Sequence, residues 1–138
     1  MRKDARAQNT VMTENEITQI IVEVALKIHT SLGPGMLESL YERVLAQELK
    51  KRGLSVSVQQ AVPVVWESLR LEVGFCADLI VEGKVIVELR SVETTTPAHK
   101  KHLITYLRLT DKRLGLLINF GAASLKEGIT RVVNGLDE

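Results

Sequence analysis

A chain of 138 residues, 45% of them hydrophobic and 25% charged, has the composition of one soluble globular domain and too few residues for two independent cores. A formal net charge of +1 excludes binding driven by bulk charge alone, and a single cysteine, Cys76, excludes an intrachain disulfide framework or a cysteine-only zinc site. No apolar run reaches the roughly 20 residues of a membrane-spanning helix, and the charged start MRKDARAQNT lacks the apolar segment of a secretory signal, so the expectation is a cytoplasmic protein with no membrane partner.

Residues 1–12 mix charge, Gln and Asn without periodicity and read as a mobile leader ahead of a single domain over 13–138. Thr13 with Glu16 three residues on has capping-box form, and Ile17, Ile20, Ile21, Val24 and Ile28 recur at helical spacing, which predicts a first amphipathic helix. Gly33-Pro34-Gly35 stops it, because proline lacks a donor and glycine tolerates left-handed geometry. A second helix is predicted over 36–52, with Leu37, Leu40, Tyr41, Val44, Leu45 and Leu49 as its buried arc. From Leu54 the period falls to two. Val56, Val58, Val62, Val64 and Trp66 alternate with polar residues, and Pro63 marks an edge strand or a bulge. Leu69, Leu71, Val73, Phe75, Ala77, Leu79 and Val81 form a second alternating run and 85–89 a third, with turns near Glu67-Ser68 and Glu82-Gly83-Lys84. Thr96 before Pro97 opens a helix carrying Leu103, Ile104 and Leu107. The apolar run 114–120 reads as a strand buried on both faces, and a last helix is predicted over 124–134. The order is ααβββαβα.

A three-residue loop at Glu82-Gly83-Lys84 would pair Val81 with Val85 and set Asp78 opposite Glu88, whereas a two-residue loop would shift that register. The odd face of this hairpin is wholly apolar. The even face holds Ile80 and Ile86 near the turn, then Asp78, Glu88 and Arg90. Directly opposed like charges destabilise a sheet, so a bound cation, a raised carboxyl pKa or Arg90 as shared counter-ion must compensate. Glu38 falls inside the apolar arc of the second helix; a first-turn acid favoured by the helix dipole is one reason, a functional carboxylate the other. Hard divalent cations take such oxygens, and a neighbouring cation can steady a phosphate. Between residues 84 and 113 seven Lys or Arg face three acids, a local excess the whole chain lacks. Tyr41 and Tyr106 fit core edges better than stacking platforms, and Cys76 reads as a small buried filler.

Gly35, Glu38 and Tyr41 spell G-x-x-E-x-x-Y, preceded by His29 and Leu32-Gly33-Pro34. With F-C-A-D-L-I-V-E (75–82), V-I-V-E-L-R (85–90), T-P-A-H (96–99), T-Y-L-R-L-T (105–110) and L-G-L-L-I-N-F-G (114–121), nearly all of the chain after the leader resembles the bacterial GxxExxY proteins. That family is placed in the PD-(D/E)xK nuclease-like superfamily. The resemblance implies an α/β restriction-endonuclease-like core, a central mixed β-sheet flanked by helices, and hydrolysis of DNA or RNA assisted by Mg²⁺ or Mn²⁺. It implies that Glu38 is the helix acid, Asp78 the metal-binding aspartate and Glu88 the glutamate of E-x-K, all three toward metal. Two departures stand out: Arg90 takes the place of the lysine, and His102 replaces the glutamine usual after the histidine of the 96–99 motif. Arginine keeps the charge but does not deprotonate and can clamp carboxylates, which attenuates the expected catalysis. The competing expectation is an inactive nuclease-like module that binds nucleic acid or a protein partner.

Overall fold

The computed structural model describes residues 11–136, and its elements follow the expected order with one further strand at the end. Most of the expected leader, residues 1–10, lies outside the described residues, while Met12 at its end packs against the core and its carbonyl accepts the Lys84 Nζ at 2.6 Å.

Helix α1 (Glu14–Leu32) starts with the predicted capping box: Thr13 Oγ1 accepts the Glu16 N–H at 3.1 Å and Glu16 Oε1 accepts the Thr13 N–H at 2.9 Å. The chain turns at Gly33 (φ +77°) and Gly35 (φ +89°), left-handed angles that glycine adopts without steric cost. The Tyr41 hydroxyl locks this corner, donating to the Gly33 carbonyl at 2.5 Å and accepting the Met36 N–H at 3.1 Å, while its ring stacks on Phe120 with centroids 4.2 Å apart. Helix α2 (Glu38–Lys51) therefore begins two residues later than the pattern indicated. Leu37 is its N-cap in extended conformation, so it stands outside the helix and is 77% exposed instead of joining the buried arc.

Strands β1 (Val56–Trp66), β2 (Leu69–Val81), β3 (Val85–Arg90), β4 (Leu114–Asn119) and β5 (Ile129–Val133) form one mixed sheet in the order β1-β2-β3-β4-β5. Only β3 and β4 are parallel, and helix α3 (Pro97–Thr110) lies between them in sequence, as a parallel connection requires. Helices α1 and α2 cover one face over Leu79, Val81, Val85, Val87 and Leu89; α3 covers the other with Leu103 and Leu107 over Ile80, Ile86, Leu117 and Val132. All of β4 is buried, as its unbroken apolar run predicted. Pro63 sits where the β1–β2 register shifts, between Val62 and Val64, on an edge strand.

One predicted element is corrected. The helix predicted over 124–134 is a single turn, α4 (Leu125–Gly128), after which the chain becomes β5 and pairs antiparallel with β4. The β-branched run Ile129, Thr130, Val132 and Val133 suits a pleated surface, and pairing satisfies the free edge of β4. The distal residues of the alternating run in β2, Leu69, Leu71 and Val73, do not join the core. They are exposed with Val65 and Trp66, because beyond Phe75 the β1–β2 hairpin runs on as an arm that no helix covers.

Replacing Tyr41 by Phe removes both hydroxyl bonds of the α1–α2 corner and keeps the ring stack. Tyr41→Phe is expected to lower unfolding stability by about 1–2 kcal/mol in urea titration, and an unchanged midpoint would show that the corner is held elsewhere.

Candidate active site

The turn Glu82-Gly83-Lys84 has three residues, with Glu82 (φ +55°) and Gly83 (φ +66°) left-handed, and it pairs Val81 with Val85 in the register expected. The β2–β3 ladder then runs only as far as Leu79 opposite Val87. Beyond that pair β2 continues with β1 and β3 continues with β4, so the sheet forks. At the fork two side chains take over from the ladder. Glu88 Oε2 accepts the Asp78 N–H at 3.2 Å, and Asp78 Oδ2 accepts the Leu89 N–H at 2.8 Å. Each acid thus satisfies a backbone donor of the opposite strand that the parting of the strands would orphan.

Arg90 closes the same space. Its Nη1 donates to the Leu89 carbonyl at 2.7 Å and lies 3.6 Å from Asp78 Oδ2, while Nη2 lies 3.9 Å from Glu88 Oε1. One guanidinium therefore faces three oxygens. Glu88 is only 7% exposed, and burial, reinforced by the Asp78 charge, pushes its carboxyl up to about 7; the Asp78 N–H and Arg90 oppose that rise. Two of the three compensations expected for opposed acids operate together here: a raised carboxyl pKa and a shared counter-ion.

Helix α2 brings its N-terminal half to the fork. Gln59 Nε2 donates to Glu42 Oε2 at 2.6 Å and to Asp78 Oδ1 at 3.0 Å, so one amide joins the helix to the acid pair. Gln59 has φ +50° within β1, left-handed backbone that a non-glycine residue adopts only when its surroundings enforce it. Burial, and to a lesser degree the charges of Asp78 and Glu38, raise the Glu42 pKa against the Gln59 bond. Neither Glu42 nor Gln59 was singled out in the sequence. The available signal for Glu42 was its position one helical turn after Glu38, on the same face; a Gln in a polar stretch of strand gives none. Glu38 itself is exposed, and its Oε2 accepts the Ser91 N–H at 3.3 Å, placing it at the end of β3 on the rim, with no bond to Asp78 or Glu88.

The remaining candidates separate from the fork. His102 is exposed on α3 and makes no hydrogen bond or ion pair with these groups. Cys76 is exposed, correcting its reading as a buried filler, and its Sγ lies 3.5 Å from Gln59 Oε1. It lies between Phe75 and Ala77, which both pack under α3, so its own side chain takes the opposite, exposed face of β2. Tyr106 lies at the core edge as expected, stacked on Phe75 with centroids 3.8 Å apart, and Tyr41 goes further, fully buried in the core.

As a donor set for a hard divalent ion, Asp78, Glu88 and the Leu89 carbonyl fit by chemistry, since Mg²⁺ is commonly held by one or two carboxylates and completed by water and phosphate. Among the described residues no three His, Cys, Asp or Glu side chains gather into a cage, and the guanidinium faces one oxygen of each of these three groups.

The chain matches the family model of the PD-(D/E)XK nuclease superfamily over residues 15–132 and belongs to that superfamily. No curated protein and no solved structure matches it. Against the pattern in the superfamily's name, this chain reads Ala77-Asp78 and Glu88-Leu89-Arg90. No helix among the described residues is long and apolar enough to cross a membrane.

A carboxyl raised from 4.5 to about 7 binds its proton more tightly in the folded state, so its contribution to stability is complete below pH 4.5 and is lost as pH rises through 7. Glu88→Gln keeps the neutral form and an acceptor for the Asp78 N–H. In EDTA it is expected to be more stable than wild type by roughly 1–3 kcal/mol at pH 8 and equal to it at pH 4. Parallel urea titrations at the two pH values check this; a gain independent of pH would show that desolvated charge is not what the substitution relieves.

Proposed function

We propose that this member of the PD-(D/E)XK nuclease superfamily is a divalent-metal-dependent hydrolase of phosphodiester bonds in DNA or RNA, of the GxxExxY kind, with its activity attenuated by Arg90. The observation that carries the reading is the meeting of Asp78 and Glu88 across the fork, each fixed by a backbone N–H of the opposite strand. Acids held this way lose little freedom when they engage a substrate complex, which is the preorganisation that electrostatic catalysis needs.

In this reading Asp78 and Glu88 hold Mg²⁺ or Mn²⁺ beside the Leu89 carbonyl, with Glu42, and Glu38 at the rim, adding negative potential from α2. When bound, such an ion offsets phosphate charge and makes water more acidic. The protein's own contributions are separate from that. Gln59 aligns Asp78 against the helix; Glu88, with its carboxyl near 7, can keep or release a proton around neutral pH. Arg90 offers several donors in a planar fork to a phosphate, but unlike lysine it cannot act as a base, and its guanidinium must leave the Leu89 carbonyl first. His102 has no part in this reading.

One observation favours a second reading, a nuclease-like module that binds nucleic acid or a protein without cutting: Arg90 already faces one oxygen of each member of the donor set. Titrating Mn²⁺ against wild type, Arg90→Lys and Asp78→Asn distinguishes the two. The expected result is a rise in melting temperature for wild type, a larger rise for Arg90→Lys and almost none for Asp78→Asn, with each tenfold in affinity worth about 1.4 kcal/mol at saturating ion. Cleavage of labelled DNA and RNA should follow the same order. Identical Mn²⁺ responses in all three proteins, with no cleavage by any, would overturn the hydrolase reading in favour of the binding module.

A further inference from the structure

The outer face of α2 meets β1 in an open groove of about 670 Å³, lined by Arg43, Ala46, Gln47, Lys50, Lys51 and Val58. No carboxylate lines it. Arg43, Gln47 and Lys50 stand at i, i+4 and i+7 and so form one stripe along the helix, with Arg43 and Lys50 about 10 Å apart at 1.5 Å per residue. Lys51 is partly neutralised by Glu48 at 3.3 Å, but the side chains of Arg43 and Lys50 have no ionic or hydrogen-bonding partner among the described residues. Two exposed cations that spend their charge on nothing within the chain raise the local potential where a polyanion would lie.

The groove adjoins the fork. Arg43 follows Glu42 in α2 and Val58 precedes Gln59 in β1, and Glu42 and Gln59 are bonded to each other at 2.6 Å. A chain of phosphates lying along the Arg43–Lys50 stripe would therefore arrive at the Asp78 side of the acid pair through the Gln59 contact. The floor supports the same occupant: Gln47 offers an amide donor and acceptor, and half-exposed Val58 a small apolar surface, features that accept a backbone without selecting a base.

We infer that the α2–β1 groove is the track for the phosphate backbone of a nucleic-acid strand, with Arg43 and Lys50 as its two principal phosphate contacts. The inference rests on the hydrolase reading for what happens at the fork, but the binding it describes requires neither metal nor cleavage.

The test is fluorescence anisotropy of the full chain in EDTA with labelled single-stranded DNA, single-stranded RNA and duplex DNA across a series of salt concentrations. Wild type is expected to bind, and Arg43→Ala/Lys50→Ala to lose roughly tenfold or more in affinity. Its plot of log affinity against log salt should be shallower by about 1.4 for single strands or about 1.8 for duplex, the slope of two phosphates. The order of affinities among the three probes identifies the strand type. Arg43→Lys/Lys50→Arg should keep both affinity and slope, which separates charge from loss of fold. Lys100→Ala/Lys101→Ala on α3 removes the same net charge away from the groove and should change affinity less than about twofold. Equal losses in the two alanine pairs, no binding by wild type, or tighter binding of a polyglutamate peptide than of any nucleic acid would each overturn the inference. Groove-dependent binding without cleavage by any variant would sink the hydrolase reading and leave this one standing; Asp78-dependent cleavage unaffected by the groove pair would do the reverse.

Discussion

The molecule depends on how two strands part. An antiparallel ladder that continued past Leu79 and Val87 would press two carboxylates together on one face, in a sheet whose other positions there are apolar. Instead the strands diverge, and the acids become the last rungs: Asp78 receives the Leu89 N–H, and Glu88 receives the Asp78 N–H. A hydrogen bond to a charged acceptor is stronger than the neutral backbone bond it replaces, which offsets part of the cost of burying Glu88. The site is consequently no addition to a finished scaffold. The same two side chains end the β2–β3 pairing and line the cleft that the ending creates.

This coupling explains why the hairpin was the most readable part of the chain. Its turn, its wholly apolar odd face and the opposition of Asp78 and Glu88 all follow from a period of two and one loop length, because register is fixed wherever one face is buried. What the period could not convey is where a covering layer stops. Leu69, Leu71 and Val73 carry the same alternation as Leu79 and Val81, yet no helix reaches them and they stay exposed. Residues 129–133 differ from the predicted helix for the related reason that pairing with the edge of β4 decides their conformation, and the local pattern carries only the β-branched run as a hint of it. Leu37 goes to a cap, and Cys76 to the exposed face opposite Phe75 and Ala77. Gln59, bonded to two acids from a left-handed backbone position, illustrates the limit most clearly, since neither its chemistry nor its neighbours in sequence mark it.

Charge was misleading in a comparable way. Of the seven cations between residues 84 and 113, three are engaged within the chain: Lys84 and Lys112 donate to backbone carbonyls, of Met12 and Gly83 respectively, and Arg90 lies in the fork. Helix α2 reads as nearly neutral, with acids and bases mixed along it, and yet the helical period sorts them. Glu38 and Glu42 go to the end beside the fork, while Arg43 and Lys50 line up beside β1 without partners. A net charge of +1 therefore conceals an acidic cleft and a cationic groove on neighbouring turns of one helix.

The exchange of lysine for arginine acquires its meaning only from this geometry. On a flat strand Glu88 and Arg90, two residues apart, would form an ordinary side-by-side pair. At the fork Arg90 folds back over its own strand, reaching the Leu89 carbonyl as well as both acids, a span that suits a planar group with donors on several edges and would be poorly matched by a single ammonium. Because Glu88 is desolvated and Asp78 is tied to a backbone amide and to Gln59, the pair carries less uncompensated charge than two free carboxylates, and one guanidinium suffices to balance it. The chain's own guanidinium thus balances its acids, and a cation binding at the fork must compete with a counter-ion attached to the same strand.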